Sequence, residues 1–146
     1  MCVKEIFSLG KKYPFYHPPQ CLNENCQSQR IWGHGYRDLY FDDISGQLSM
    51  KRYRCADCGV VYILRPSDYF GRHHASKILI INRLSKRIND GFWDTSRNLT
   101  RQRQGHWLKA LKKNIVKYLG IDFTKDLING FHKLMDLQKV PILRSD

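Results

Sequence analysis

Four cysteines in two pairs constrain this chain more than any other feature: Cys21-Leu-Asn-Glu-Asn-Cys26 and Cys55-Ala-Asp-Cys58. Residues 27–54, 28 in all, lie between the pairs. Met1–Gly10 has no basic start leading into an apolar block, so no secretory signal is expected and a disulfide framework is disfavoured. Zinc takes four ligands in a tetrahedron, and a short turn with a cysteine at each end supplies two thiolates from one loop. Two such turns at the ends of a hairpin make a zinc ribbon. Gly59 suits the tight turn after Cys58, and Lys51 and Arg54 would offset thiolate charge. Four thiolates close the coordination sphere, so a single structural Zn2+ on Cys21, Cys26, Cys55 and Cys58 is expected, with no metal chemistry. The other readings are four unrelated thiols or a redox Cys-x-x-Cys. The second pair and the missing βαβ pattern weigh against the redox reading. His17 and His34 are spare ligand candidates, and Cys2, the fifth cysteine, reads as a free thiol without a role.

Between the pairs, Ile31–Phe41 and Gln47–Arg54 are rich in aromatic and β-branched residues, and Asp43–Gly46 has turn chemistry. Val60–Leu64 is a third apolar strand. The expected unit is a three-stranded antiparallel ribbon over residues 21–70, preceded by an extended arm over 1–20 (Pro14, Pro18, Pro19). Arg65–Asp68 and the pair His73-His74 read as linker. A ribbon this small has almost no core, so its metal should contribute folding free energy and its removal should unfold residues 21–64.

Beyond residue 71 the apolar period changes to that of helices. Ile80, Ile81, Leu84 and Ile88 form one stripe, closed by Gly91; Trp107, Leu108, Leu111, Ile115 and Leu119 form a second, closed by Gly120. Leu127, Ile128, Phe131, Leu134 and Met135 form a third, with Thr124 as N-cap. The fold class is therefore α+β: a small zinc ribbon followed by an all-helical unit over 71–146.

Charge is concentrated in that second unit. Residues 1–70 carry 9 basic and 7 acidic side chains, whereas residues 71–146 carry 16 and 6, and no acidic residue falls between Thr95 and Ile121. Such asymmetry points to a polyanionic partner, most often nucleic acid. Ser76–Asp90, then Trp93–Leu99, then a segment from Thr100 to Tyr118 follow the order of a helix-turn-helix module. Arg101, Gln102, Arg103 and Gln104 offer base readers, since Arg can grip guanine and Gln adenine through paired hydrogen bonds. Gly105 suggests that the recognition helix starts near His106, leaving those readers in the turn. Lys109, Lys112, Lys113 and Lys117 lie opposite the apolar stripe and suit phosphates, as do Arg97, His106, Lys51 and Arg52. The plain alternative is a solvated face.

One family shares these features together. Cys21…Cys26, Ile31-Trp-Gly-His-Gly-Tyr-Arg37, Lys51-Arg-Tyr-Arg-Cys-Ala-Asp-Cys-Gly59 and Val61-Tyr62 resemble the zinc ribbon of insertion-sequence transposase proteins and related bacterial regulators, in which a helix-turn-helix follows. The resemblance spans about residues 18–118 and is sharpest over Arg52–Gly59. It implies zinc at the four cysteines, DNA binding at element ends or promoters, and a cytoplasmic, nucleoid-associated protein. The first knuckle is longer here, Gln27 stands where a glycine is customary, and residues 124–146 have no counterpart. A chain of 146 residues leaves no room beside these units for a catalytic transposase domain, so a separately encoded transposase is a candidate partner.

The expected function is sequence-specific binding of double-stranded DNA, in transposition or transcription regulation. The second reading is an RNA or ribonucleoprotein component that stacks bases on Tyr36, Tyr40, Tyr53 and Tyr62. The third is an interaction module docking through the 127–135 stripe. No Ser/His/Asp or Cys/His arrangement shows by spacing, so no enzyme is expected. No apolar run approaches the roughly 18 residues of a membrane span, so no membrane partner is expected. The oligomeric state and the bound sequence are not readable from the chain.

Overall fold

The computed structural model describes residues 3–143, so Cys2 lies outside the described residues. The structure is mixed α+β, and the chain divides between His74 and Ala75 into two units. The first holds helix α1 (Val3–Leu9), a 3-10 turn at Gly10–Lys12, and strands β1 (Ile31–Tyr40), β2 (Gln47–Cys55) and β3 (Val61–Ile63). The strands pair antiparallel in the order β1-β2-β3. The second unit holds helices α2 (Lys77–Asp90), α3 (Arg101–Tyr118) and α4 (Leu127–Asp136).

β1 and β2 form because their apolar residues alternate and the intervening turn has glycine at a left-handed position, Gly46 with φ 113°. Their register runs from Ile31 opposite Cys55 to Tyr40 opposite Gln47. Between Gly33 and Tyr36 β1 holds one residue more than β2, a bulge at His34-Gly35 with Gly35 at φ 73°. Arg52 donates from Nε to the His34 carbonyl (3.1 Å) and steadies it.

The hairpin-turn end has a core of its own: Ile6, Leu39, Phe41, Leu48, Met50 and Tyr69. Two segments outside the strands supply it, contrary to the near-coreless ribbon expected. Residues 3–9 are helical rather than extended, and Ile6 is wholly buried. Residues 66–74 are a packed strap rather than a linker: Pro66, Tyr69 and Phe70 are buried, Tyr69 donates to Asp43 (2.7 Å), and the amide of Asp42 donates to the His74 carbonyl (2.9 Å). Residues 13–20 have no regular structure and lie against the sheet. Phe15 meets Tyr36 edge-on and His17 meets Tyr53.

In the second unit each helix begins on a side-chain cap: Ser76 accepts from the Leu79 amide, Thr100 from Arg103, and Asp126 from Asn129. Asp126, not Thr124, caps α4, because residues 121–125 form a 3-10 turn. Gly91 ends α2 at φ 67°. The large apolar side chains buried here include Ile80, Leu84, Leu99, Trp107, Leu111, Ile115, Phe131, Leu134 and Ile142. Residues 93–99 are not helical, so the expected first helix of a helix-turn-helix is absent. Instead they form a loop pinned at both sides. The Asp94 carboxylate pairs with Arg83 and Lys86 of α2. The Asp94 and Leu99 carbonyls accept from Gln104 Nε2 at 2.8 and 2.9 Å.

Gly130 sets how closely α4 meets α3. A Cβ there would stand 2.9 Å from Ile115 Cγ1 and closer to Cδ1, while Ile115 is itself wholly buried. Alanine ordinarily favours a helix over glycine by about 1 kcal/mol. Here Gly130→Ala is expected to destabilise the helical unit by about 1–3 kcal/mol, the cost of overpacking a filled core. Thermal denaturation checks this; a raised midpoint would refute the close approach.

Candidate metal centre and nucleic-acid interface

The strands bring both cysteine turns to one end of the sheet. Cys55 ends β2 and lies opposite Ile31; Cys58 follows in the turn closed by the Gly59 amide on the Cys55 carbonyl (3.1 Å). The first turn closes by the Cys26 amide on the Asn23 carbonyl (2.9 Å), and the Cys21 amide bonds the Ser28 carbonyl (2.7 Å). Gln27 takes φ 49° where that turn needs a left-handed residue. Asp57 ties the two turns together, accepting from Arg30 (2.8 Å) and from Ser28.

The four sulfurs lie within 4.8 Å of one another. Cys21 and Cys58 are 3.6 Å apart, and Cys26 and Cys55 3.7 Å. Tetrahedral zinc with bonds of about 2.3 Å needs sulfur separations of about 3.8 Å, so these four cysteines could hold a metal ion of that size. All four thiols are free, and Cys21 and Cys55 are buried. Backbone amides of Cys58 and Asp57 aim at the Cys55 sulfur and lower its pKa to about 6. The Ser28 amide pulls Cys26 down, but lost hydration and the three neighbouring sulfurs outweigh it and push Cys26 up to about 12. Four thiolates in this space need a cation. Tyr62, whose ring packs with Cys21 and Cys55, is likewise pushed up to about 12, first by burial and then by Cys21. His17 and His34 stand outside this cluster, which consists of the four cysteines alone among the described residues.

The expected nucleic-acid residues are redistributed. α3 begins at Arg101, not at His106, because Thr100 caps it and Gly105 is tolerated inside, its Cα side facing Trp93. Arg101, Gln102, His106, Lys109, Lys112, Lys113 and Lys117 are exposed on this one helix, and Arg97 is exposed in the preceding loop. Gln104 is corrected: it is wholly buried, and its amide holds the 93–99 loop rather than a base. The signal was present, because Gln104 precedes Trp107, Leu111 and Ile115 at helical spacing and so falls on the apolar side. Arg103 is half-buried, donating to the Asn98 carbonyl (2.8 Å) with its guanidinium 5.2 Å from the Trp107 ring centre. Lys51 lies 4.4 Å over the Tyr36 ring, and Arg52 holds the bulge through its Nε. Trp93, also half-buried, receives Arg87 at 4.6 Å.

Of the tyrosines considered for base stacking, Tyr53 is buried, Tyr62 packs against the cysteines, and Tyr36 is covered by Phe15 and Lys51. Tyr40 alone of the four is exposed, with its hydroxyl on Gln47 (2.9 Å). Among the described residues no helix is long and apolar enough to cross a membrane. Comparisons with protein-family models, curated proteins and solved structures find no match to this chain.

Proposed function

We propose that this chain is a zinc-stabilised DNA-binding protein in which α3 carries the contact to duplex DNA. The observation that carries this reading is the exposed side of α3. Gln102, His106, Lys109, Lys113 and Lys117 follow one another at intervals of three or four residues, flanked by Arg101 and Lys112. No acidic residue occurs from Thr95 to Ile121. A solvated helix face ordinarily interleaves both signs; a face with one sign suits a polyanion. The helix is long enough for a major groove: from residue 102 to 117 it advances about 22 Å. Arg101 and Gln102, on the first turn, are the base readers, and the lysines hold phosphates. The buried Gln104 and the engaged Arg103 take no part in readout.

The ion is zinc in this proposal, because an all-sulfur tetrahedral donor set suits a d10 ion with no redox chemistry of its own. Its role is structural. The protein belongs to a transposition or transcriptional system, a placement that rests on the resemblance of Arg52–Gly59 and its surroundings alone.

The test is a selection of random duplex DNA by the metal-loaded chain at moderate salt, with sequencing of the bound pool. An enriched motif that disappears with Arg101→Ala and Gln102→Ala supports base readout from the first turn. Binding without enrichment removes the sequence-specific part and leaves a phosphate-binding helix.

A further inference from the structure

The sheet unit has a second surface that the reading of α3 does not use. The extra residue of the bulge lies in β1, so β2 alternates along its whole length. Leu48 and Met50 point into the core beneath α1, and Arg52 and Arg54 continue the same face toward the cysteines. Cross-strand partners share a face. Trp32, Arg54 and Val61 therefore form one row across all three strands, and Arg52 with Ile63 forms the next. The opposite face at this end is closed by Ile31, Tyr53 and Cys55, with His17 packed on Tyr53.

The row itself is open. Trp32 is 61% exposed and Val61 43%, and Arg54 is exposed. An indole standing this far out of a strand adds little to the packing of the sheet; large aromatics repay burial. Asp38 is the one carboxylate in the three strands, and it pairs with Ser49 on the other face. An exposed flat ring, a guanidinium in its row, a second in the next and no carboxylate in either are the chemistry that receives an unpaired base and its phosphates. In a duplex both faces of each base are already covered by neighbours, so an intact duplex offers nothing for this ring to stack on.

We propose that Trp32, Arg54 and Arg52 form a stacking platform for single-stranded nucleic acid: a base lies on the Trp32 ring and the two arginines meet the adjoining phosphates. The platform is separate from α3 and stands whether or not α3 binds duplex DNA. It depends on the metal turn, because the Cys55 amide bonds the Val60 carbonyl (3.0 Å) and so sets the start of β3.

The full metal-loaded chain is titrated into labelled short oligo-dT, oligo-U and a DNA duplex, read by fluorescence anisotropy. Trp32→Ala is expected to weaken single-strand binding about ten-fold or more, Trp32→Tyr to keep it within about three-fold, and neither to change duplex affinity by more than about two-fold. Arg54→Ala is expected to flatten the salt dependence on single strands. Loss on both oligonucleotides means that DNA and RNA share the platform; loss on one alone identifies its ligand. Single-strand affinity unchanged in Trp32→Ala overturns the proposal and gives the row to a protein partner. An equal loss on duplex, or no rescue by Trp32→Tyr, overturns it as well.

Discussion

If Cys21, Cys26, Cys55 and Cys58 hold a metal ion, removing it by chelation or by Cys55→Ser is expected to dissolve one end of the sheet unit and spare the other. At the cysteine end the buried cluster is Cys21, Ile31, Tyr53 and Cys55, so half of it is thiol. Without a cation these sulfurs cannot all be ionised within 4.8 Å of one another. As neutral thiols they offer little apolar surface to hold two irregular turns. Apparent binding energies for structural zinc are of order 10 kcal/mol in small zinc-dependent folds, more than such a cluster can supply. At the hairpin-turn end, Ile6, Leu39, Phe41, Leu48, Met50 and Tyr69 form a core that contains no ligand. Unfolding of the whole 21–64 segment, expected from the sequence, thus becomes local. Amide exchange checks this residue by residue. The amides of Cys21, Cys26, Cys55 and Gly59, each bonded within the two turns, should lose protection on chelation. Those of Leu39 and Leu48, paired across the far end, should keep most of theirs. Uniform loss along β1 and β2 would show that the metal holds the entire sheet; no loss anywhere would remove its structural role.

What the sequence disclosed and what it hid follow one physical division. The paired cysteines and the alternating strands were legible, because ligand spacing and a period of two are local. The three apolar helical stripes were legible for the same reason, as was the cap at Gly91. The 93–99 loop departs from the helical reading because Asp94, Thr95, Ser96 and Asn98 are poor helix formers, and the loop is held by Arg83, Lys86 and Gln104 of the two flanking helices, contacts that no local period reveals. α1 was missed because a seven-residue helix with one buried side chain leaves almost no periodic trace. The 66–74 strap was missed because its burial depends on Phe41 and Asp43, which no local pattern reveals. Asn114 is another such case: a buried amide donating to the Pro141 and Leu143 carbonyls (both 2.9 Å), it holds the segment after α4 in a way its neighbours in sequence do not announce.

Replacing Lys109, Lys112, Lys113 and Lys117 together by Ala is expected to abolish most duplex affinity without harming the fold. All four are exposed and lie on α3, where Ala is the better helix former, so stability should change little. If each meets one phosphate, duplex binding releases about four counterions at these positions. The slope of log K against log salt should then flatten by about 3–4 units, and affinity near 0.1 M salt should fall by about three orders of magnitude. The loss should be equal for every duplex sequence, because phosphates carry no sequence. Arg101→Ala should behave oppositely, costing about 1–3 kcal/mol at one base position and moving the salt slope by about one unit or less. Salt titrations on matched and mismatched duplexes separate the two behaviours. An unchanged slope in the fourfold variant would mean that the lysines only solvate α3, and the carboxylate-free run from Thr95 to Ile121 would lose its meaning as an anion-binding face. Because Gln104 and Trp107 anchor the other side of the same helix, substitutions there should instead loosen the 93–99 loop and lower stability first. The two sides of α3 are thereby expected to divide cleanly, one setting affinity and the other the fold.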